Sequence, residues 1–238
     1  MLRAPGILRH CQRLPFSAFL PKNQLTRTKR YMAKPLDFYD GPLVWVDCEM
    51  TGLNPRTDKI LEIAVLITNG NLDIVDDGIQ FVIRTDKKVL DGMGEWCKNQ
   101  HAQSGLINAC LTSPHSHKYV SKTVLAYIKK WIPYQRVGVL AGNSVHADRS
   151  FLVESMPEVV DWLHYRIVDV SSIKELSRRW YPSLGNAQLP ESNHRALDDI
   201  RGSIKELQWY RDTIFKPPPP LPSPLGQPAK ESSEPNAS

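Results

Sequence analysis

Between residues 37 and 215 the chain alternates short apolar runs with longer stretches of helical spacing. Continuous or alternating runs rich in branched residues predict strands at 43–49 (LVWVDCE), 60–68 (ILEIAVLIT) and 79–84 (IQFVIR). Helical spacing follows near 89–100 and 119–132. The run VGVLAGN at 137–143 predicts a buried strand, with a helix over 147–155 behind it. YRIVDVS predicts another strand, and 172–180 another helix. A last helix covers about 194–213, with Leu197, Ile200, Ile204, Leu207 and Ile214 on its apolar stripe. Three successive strands followed by two strand–helix units predict an α/β domain, a mixed five-stranded sheet flanked by helices. No internal repeat interrupts that order.

The two ends of the chain lack this patterning. Residues 1–36 hold eight Lys and Arg and no acid, with apolar residues interleaved, the composition of a mitochondrial targeting leader. A basic arm that touches RNA is the plainer alternative. Met32 offers an internal start that would yield a form without the leader, and so a cytosolic or nuclear population beside a matrix one. Residues 216–238 are rich in Pro and Ser, too poor in apolar residues for a core, and are expected to be disordered. The domain is therefore expected at 37–215.

Charge changes meaning once it is placed along the chain. The formal net charge is +5, but the leader supplies more than all of it. Residues 37–215 carry 20 basic against 23 acidic residues, about −3, so the domain is not a basic nucleic-acid clamp. The four cysteines, Cys11, Cys48, Cys97 and Cys110, have neither CxxC nor zinc spacing, which favours a reducing compartment over a disulfide framework. No apolar run reaches the length of a membrane-spanning helix.

The first strand poses the chemical question. Asp47 and Glu49 are two apart, so on a strand they project to the same face. Paired carboxylates repel and resist desolvation unless a cation or solvent compensates. Either the strand ends in water at Asp47 or the two acids hold a divalent metal. Two further motifs bear on the choice. GNSVHADRSFL places Asp148 just after the fourth strand, and HRALDDIRGSIKEL places His194 and Asp199 at the head of the last helix. Singly, Asp148 reads as a helix cap, Asp198 and Asp199 as a solvated face, and His194 as a surface residue.

Together these motifs, D-x-E, a later Asp, and H-x-A-x-x-D, resemble the DEDDh class of 3′→5′ exonucleases. The resemblance implies a ribonuclease H-like fold. It implies that Asp47, Glu49, Asp148 and Asp199 bind two divalent cations, Mg²⁺ or Mn²⁺, and that His194 is the general base. Paired cations about 3.5–4 Å apart suit an in-line displacement at phosphorus, and oxygen-rich ligands suit these ions better than zinc. Asp199 rather than Asp198 matches the motif, which puts four residues between His and Asp.

The blocks WVDCEMTGL, EWC, SGL, AGNSVHADRSFL, HYRIVDVSSIKEL, RRWYP and HRALDDI further resemble the oligoribonucleases, the mitochondrial eukaryotic form included, from about Asp37 to Phe215. Asn54 stands where the family pattern has Asp, and TSPHSHK at 112–118 diverges; neither touches the metal set. The likeness implies hydrolysis of short single-stranded RNA, dinucleotides especially, to nucleoside 5′-monophosphates. It implies that Leu53 and Trp96 wedge or stack on the bases, although both residue types also suit a core. It implies that Ser144, His101 and Arg166 cap the 5′ phosphate, and that Tyr165 arrives from the partner subunit of a homodimer. Three rivals remain: a DEDDh exonuclease for DNA or longer RNA, a catalytically silent nucleic-acid-binding module, and a structural Ca²⁺ binder. The absence of an EF-hand loop counts against the last.

Overall fold

The computed structural model describes residues 34–185 and 195–216. Five strands form one sheet in the order β3-β2-β1-β4-β5: β1 is Leu43–Met50, β2 Ile60–Thr68, β3 Ile79–Val82, β4 Val139–Gly142 and β5 Ile167–Asp169. β1, β2 and β3 pair antiparallel; β4 pairs parallel with β1, and β5 parallel with β4. The mixed sheet is thus the one the apolar pattern predicts. The carboxyl ends of β1, β4 and β5 point the same way. In open α/β sheets that edge is where ligands bind.

Helices cover both faces, as a sheet buried on both sides requires. These are α1 (Lys87–Asp91), α2 (Glu95–Gln103), α3 (Leu106–Thr112), α4 (His117–Trp131), α5 (His146–Ser155), α6 (Pro157–Trp162), α7 (Val170–Trp180) and α8 (Ala196–Thr213). On one face Val44, Val46 and Cys48 of β1 join Val120, Val124 and Ile128 of α4, and Phe151 and Leu152 of α5. On the other, Trp45, Ala64 and Leu66 meet Ile200, Ile204 and Tyr210 of α8. Burying side chains of this size stabilises the fold by roughly 1.5–3 kcal/mol each. Leu197, Leu207 and Ile214 complete the α8 stripe as partly buried contacts, as its periodicity predicts.

The predicted single helix at 89–100 is instead two. α1 ends at Gly92, and Gly94 is extended (φ −64°, ψ 156°) where it precedes α2. Two glycines within three residues weaken helix continuity, and the break lets Leu90 and Met93 pack with Leu61, Leu106 and Cys110. α3 and α6 were not expected from periodicity. Both are short, of seven and six residues, and α6 starts at Pro157, which suits a first helical position. One close approach shapes the carboxyl edge of the sheet. A side chain at Gly142 would meet the Val46 carbonyl at 2.8 Å, so glycine lets the end of β4 press against β1. Among the described residues no helix is long and apolar enough to cross a membrane.

Candidate active site

Alternation along β1 sends Val46 and Cys48 into one core and turns Asp47 and Glu49 toward the α8 side. The register with β2 shifts between Glu49 and Met50, an irregularity of the kind that re-aims side chains beside active sites. Asp199 lies in the first turn of α8, which packs on that same face. Asp47, Glu49 and Asp199 each offer a carboxylate oxygen, and these atoms lie within 4.8 Å of one another. Asp198 behaves differently: it is exposed and pairs with Arg201 at 3.5 Å.

Asp148 reaches the same place from α5. β4 pairs with β1 only as far as Trp45, and beyond that ladder the Cys48 amide donates to Asp148 Oδ1 at 2.9 Å. That bond ties the fourth acid to the residue between the first two. Asp148 lies outside the group of three whose oxygens share the 4.8 Å sphere, yet it is the foremost charge acting on Asp47.

The electrostatics are those of a half-buried cluster of mutually repelling acids. Burial, then repulsion from Asp148, Glu49 and Asp199, pushes Asp47 well above the usual carboxylate range. Glu49 is pushed up to about 7 by burial and by Asp199, Glu62 and Asp148, with Arg195 opposing. Burial also raises Asp148 to about 7, against the hydrogen bond from the Cys48 amide. Such a set gains most from a divalent cation, which replaces the protons the acids would otherwise retain. Three convergent carboxylates with a fourth adjoining are hard oxygen donors and fit a divalent cation. His194 lies outside the described residues; Arg195, its neighbour in sequence, is described.

The residues expected to grip substrate are found in contrasting states. Leu53 is 87% exposed and Trp96, on α2, 74% exposed, so neither is a core residue. The turn that carries Leu53 is held by Asp58, whose carboxylate accepts from Thr51 Oγ1 (2.9 Å) and from the Asn54 amide (3.0 Å). Any side chain at Gly52 would collide with that carboxylate at about 2.5 Å. Tyr165 is 72% exposed beside Arg166, whose guanidinium sits 5.5 Å from the Tyr165 ring centre. His101 is only 3% exposed. Its Nε2 lies 2.9 Å from the Met50 carbonyl, to which it can only donate, and Nδ1 lies 3.8 Å from Glu49 Oε2. Any part His101 takes in holding substrate therefore runs through the side it shares with Glu49.

Ser144 is one of the few non-glycine residues with positive φ (55°), and its amide donates to Asp169 Oδ1 at 2.9 Å. The same carboxylate accepts from the Ser171 amide and hydroxyl and lies 3.3 Å from His146 Nδ1. Partial burial acts to raise Asp169, but the bonds from Ser171, His146 and Ser144 outweigh it and hold the group below the usual range. Asp169 thus fixes Ser144 from the end of β5. Sequence reading missed Asp169 and Ser171, although an acid closing a predicted strand just before a helix is an N-cap signal.

Comparison with known proteins decides the family. A profile described as Exonuclease matches residues 44–207. A probable oligoribonuclease of Schizosaccharomyces pombe is 51% identical over 170 residues, covering 71% of this chain and 67% of that protein. The chain belongs to the oligoribonuclease family. A probable oligoribonuclease of Drosophila melanogaster is 48% identical, covering 74% of this chain and 84% of its own length. The mitochondrial oligoribonuclease of Saccharomyces cerevisiae is also 48% identical, covering 74% and 69%. Among solved structures, exonuclease I of Methylocaldum szegediense aligns with a TM-score of 0.56 at 15% identity, covering 73% of this chain and 41% of that one. Exonuclease I of E. coli, in a complex with single-stranded DNA, aligns at 0.57 and 13%, covering 73% and 41%. At such identities the likeness concerns the fold, which is ribonuclease H-like. This oligoribonuclease domain therefore sets the acidic cluster at the carboxyl edge of that sheet.

Proposed function

We propose that this chain is a metal-dependent 3′→5′ exoribonuclease that degrades short single-stranded RNA, dinucleotides especially, to nucleoside 5′-monophosphates. One observation carries the reading. In a chain about half identical to oligoribonucleases, Asp47, Glu49 and Asp199 converge within a single ligand sphere. Two cations, Mg²⁺ or Mn²⁺, would supply charge neutralisation at the scissile phosphate when held by these three acids and Asp148. The protein's own groups do the rest. His194 takes the proton of the attacking water, a role that suits imidazole as a side-chain type. Trp96 and Leu53 present an exposed aromatic face and an apolar wedge to the bases, and stacking of this kind tolerates any sequence.

The cap sets the length. Ser144, Arg166 and His101 close the 5′ phosphate end, where a guanidinium can bind two phosphate oxygens at once. Tyr165 comes from a second copy of the chain. Tyr165, Ile167 at the sheet edge, and Leu176 and Trp180 one turn apart on α7 are all exposed, which supports a homodimer across β5 and α7. An additional upstream nucleotide would collide with the cap. The mild acidity of the domain agrees with such a substrate, since a long polymer needs a basic track of phosphate contacts. Residues 37–215 form the exonuclease domain in this reading. Residues 1–36 direct the chain to the mitochondrial matrix, and 216–238 are a Pro- and Ser-rich tail; apart from 34–36 and 216, both lie outside the described residues. The mitochondrial yeast relative supports the address.

The test incubates end-labelled RNA and DNA of two, five and twenty nucleotides with purified protein, with Mg²⁺ and with EDTA. Fast, Mg²⁺-dependent release of monophosphate from the RNA dinucleotide is expected. Preference for DNA or for the twenty-mer would favour the rival substrates. Turnover that survives EDTA would remove the mechanism.

A further inference from the structure

Glu62 is an acid in the middle of the apolar strand β2, and its side chain is fully buried. It stands directly across from Glu49 in the β1–β2 register. A charge so placed needs partners, and it has them on two elements. Oε1 accepts from Gln80 Nε2 on β3 at 2.7 Å and from Arg195 Nη2 at 2.7 Å. Oε2 faces Arg195 Nε at 3.3 Å and the Ala196 amide at 3.5 Å. The guanidinium fork thus spans both carboxylate oxygens, an arrangement that fixes orientation as well as distance.

Arg195 is where α8 begins. The helix has no side-chain cap of its own, and a carboxylate borrowed from β2 sits at its first amide. From the same residue the backbone leads straight to the metal set, because the Arg195 carbonyl accepts from the Asp198 and Asp199 amides at 2.9 and 3.1 Å. We infer that Glu62 and Arg195 form a positioning pair that locks the first turn of α8 against the sheet and so sets Asp199 opposite Asp47 and Glu49. This rests on the proposed metal-dependent function. The pair touches neither the substrate nor the cations; it acts through Asp199.

Three roles for the pair make different predictions for metal affinity, measured without substrate by titrating Mn²⁺ into metal-free protein. If Arg195 acted only through its charge, its removal would leave the cluster more negative and Mn²⁺ would bind more tightly. If the pair served stability alone, affinity would be unchanged well below the melting temperature. Positioning predicts weaker binding. Arg195→Met strands a buried carboxylate and risks unfolding, so the decisive variant is Glu62→Gln with Arg195→Met, which removes the pair at constant net charge. Its Mn²⁺ affinity should fall about tenfold or more, the scale on which groups that orient metal ligands act. Arg195→Lys, which keeps the charge and loses the fork, should fall between it and the wild type, and kcat on an RNA dinucleotide should follow the same order. Affinity within twofold of wild type in the folded double variant, or tighter binding in it, overturns the positioning role. Asp199→Asn serves as control. If it loses Mn²⁺ binding while the double variant does not, only the positioning role fails; if it binds Mn²⁺ normally, the proposed metal site fails with it.

Discussion

Asp47, Glu49 and Asp199 stand on a central strand and a long helix, partly enclosed and hemmed in by one another; Leu53, Trp96, Tyr165 and Arg166 stand on turns, a short helix and a loop, with side chains in solvent. The first group is costly to assemble and is held by the sheet ladder and by packing. The second costs the lone chain little and contributes nothing to its core. Such a division lets the acids stay rigid while the exposed group remains accessible. In the proposed function the chemistry of the site therefore belongs to the fold, whereas length selectivity is assigned to surface residues that the fold merely supports.

Four measurements sharpen or break that contrast. The largest effect is expected from the enclosed group: Asp47→Asn or Asp199→Asn should lower kcat/KM on a dinucleotide about a thousandfold, because cation-assisted charge stabilisation is worth several kcal/mol. Retained activity would mean that the acids are structural. Next comes pH. Glu49 and Asp148 are both raised to about 7, so the metal-free fold holds protons that the unfolded chain releases near pH 4. The stability they contribute is complete below about pH 4 and is lost as pH rises through about 7. Cation binding must displace the same protons. Apparent Mn²⁺ affinity should therefore rise about tenfold per pH unit for each proton displaced between pH 5 and 7, levelling off above, with proton release seen calorimetrically. A flat profile would contradict the electrostatics.

The rim should respond more mildly and more selectively. Arg166→Ala should weaken dinucleotide cleavage about thirtyfold, the loss of a charge-assisted phosphate contact of ~2 kcal/mol, and cleavage of a five-mer far less. Equal losses on both substrates would count against the cap. Trp96→Ala should cost about tenfold in KM through lost stacking, on the order of 1–3 kcal/mol, with little change in melting temperature because the indole is exposed. A large drop in melting temperature would place Trp96 with the core instead.

The sequence carried the sheet because β1 and β2 are strands of eight and nine residues rich in apolar and branched side chains, long enough to be read without context. It carried the D-x-E pair because alternation alone puts both acids on one face. It did not carry the break at Gly92 to Gly94, where two glycines interrupt a stretch that otherwise keeps helical spacing. Nor did it separate Asp198 from Asp199 physically; the motif chose, and packing of α8 on Trp45 and Ala64 is what turns one inward and leaves the other with Arg201. Glu62 was the more instructive omission. A single acid inside ILEIAVLIT raises the same question as Asp47 and Glu49, but its partner Arg195 is 133 residues away in sequence, and only the fold joins them.

The most direct test of the whole account is anomalous scattering from crystals of the full chain soaked in Mn²⁺. A peak about 2.1 Å from carboxylate oxygens of Asp47, Glu49 and Asp199, with a second beside Asp148, is the predicted result. Density confined to other surfaces, or none among these four acids while the soaked protein remains folded, would contradict it.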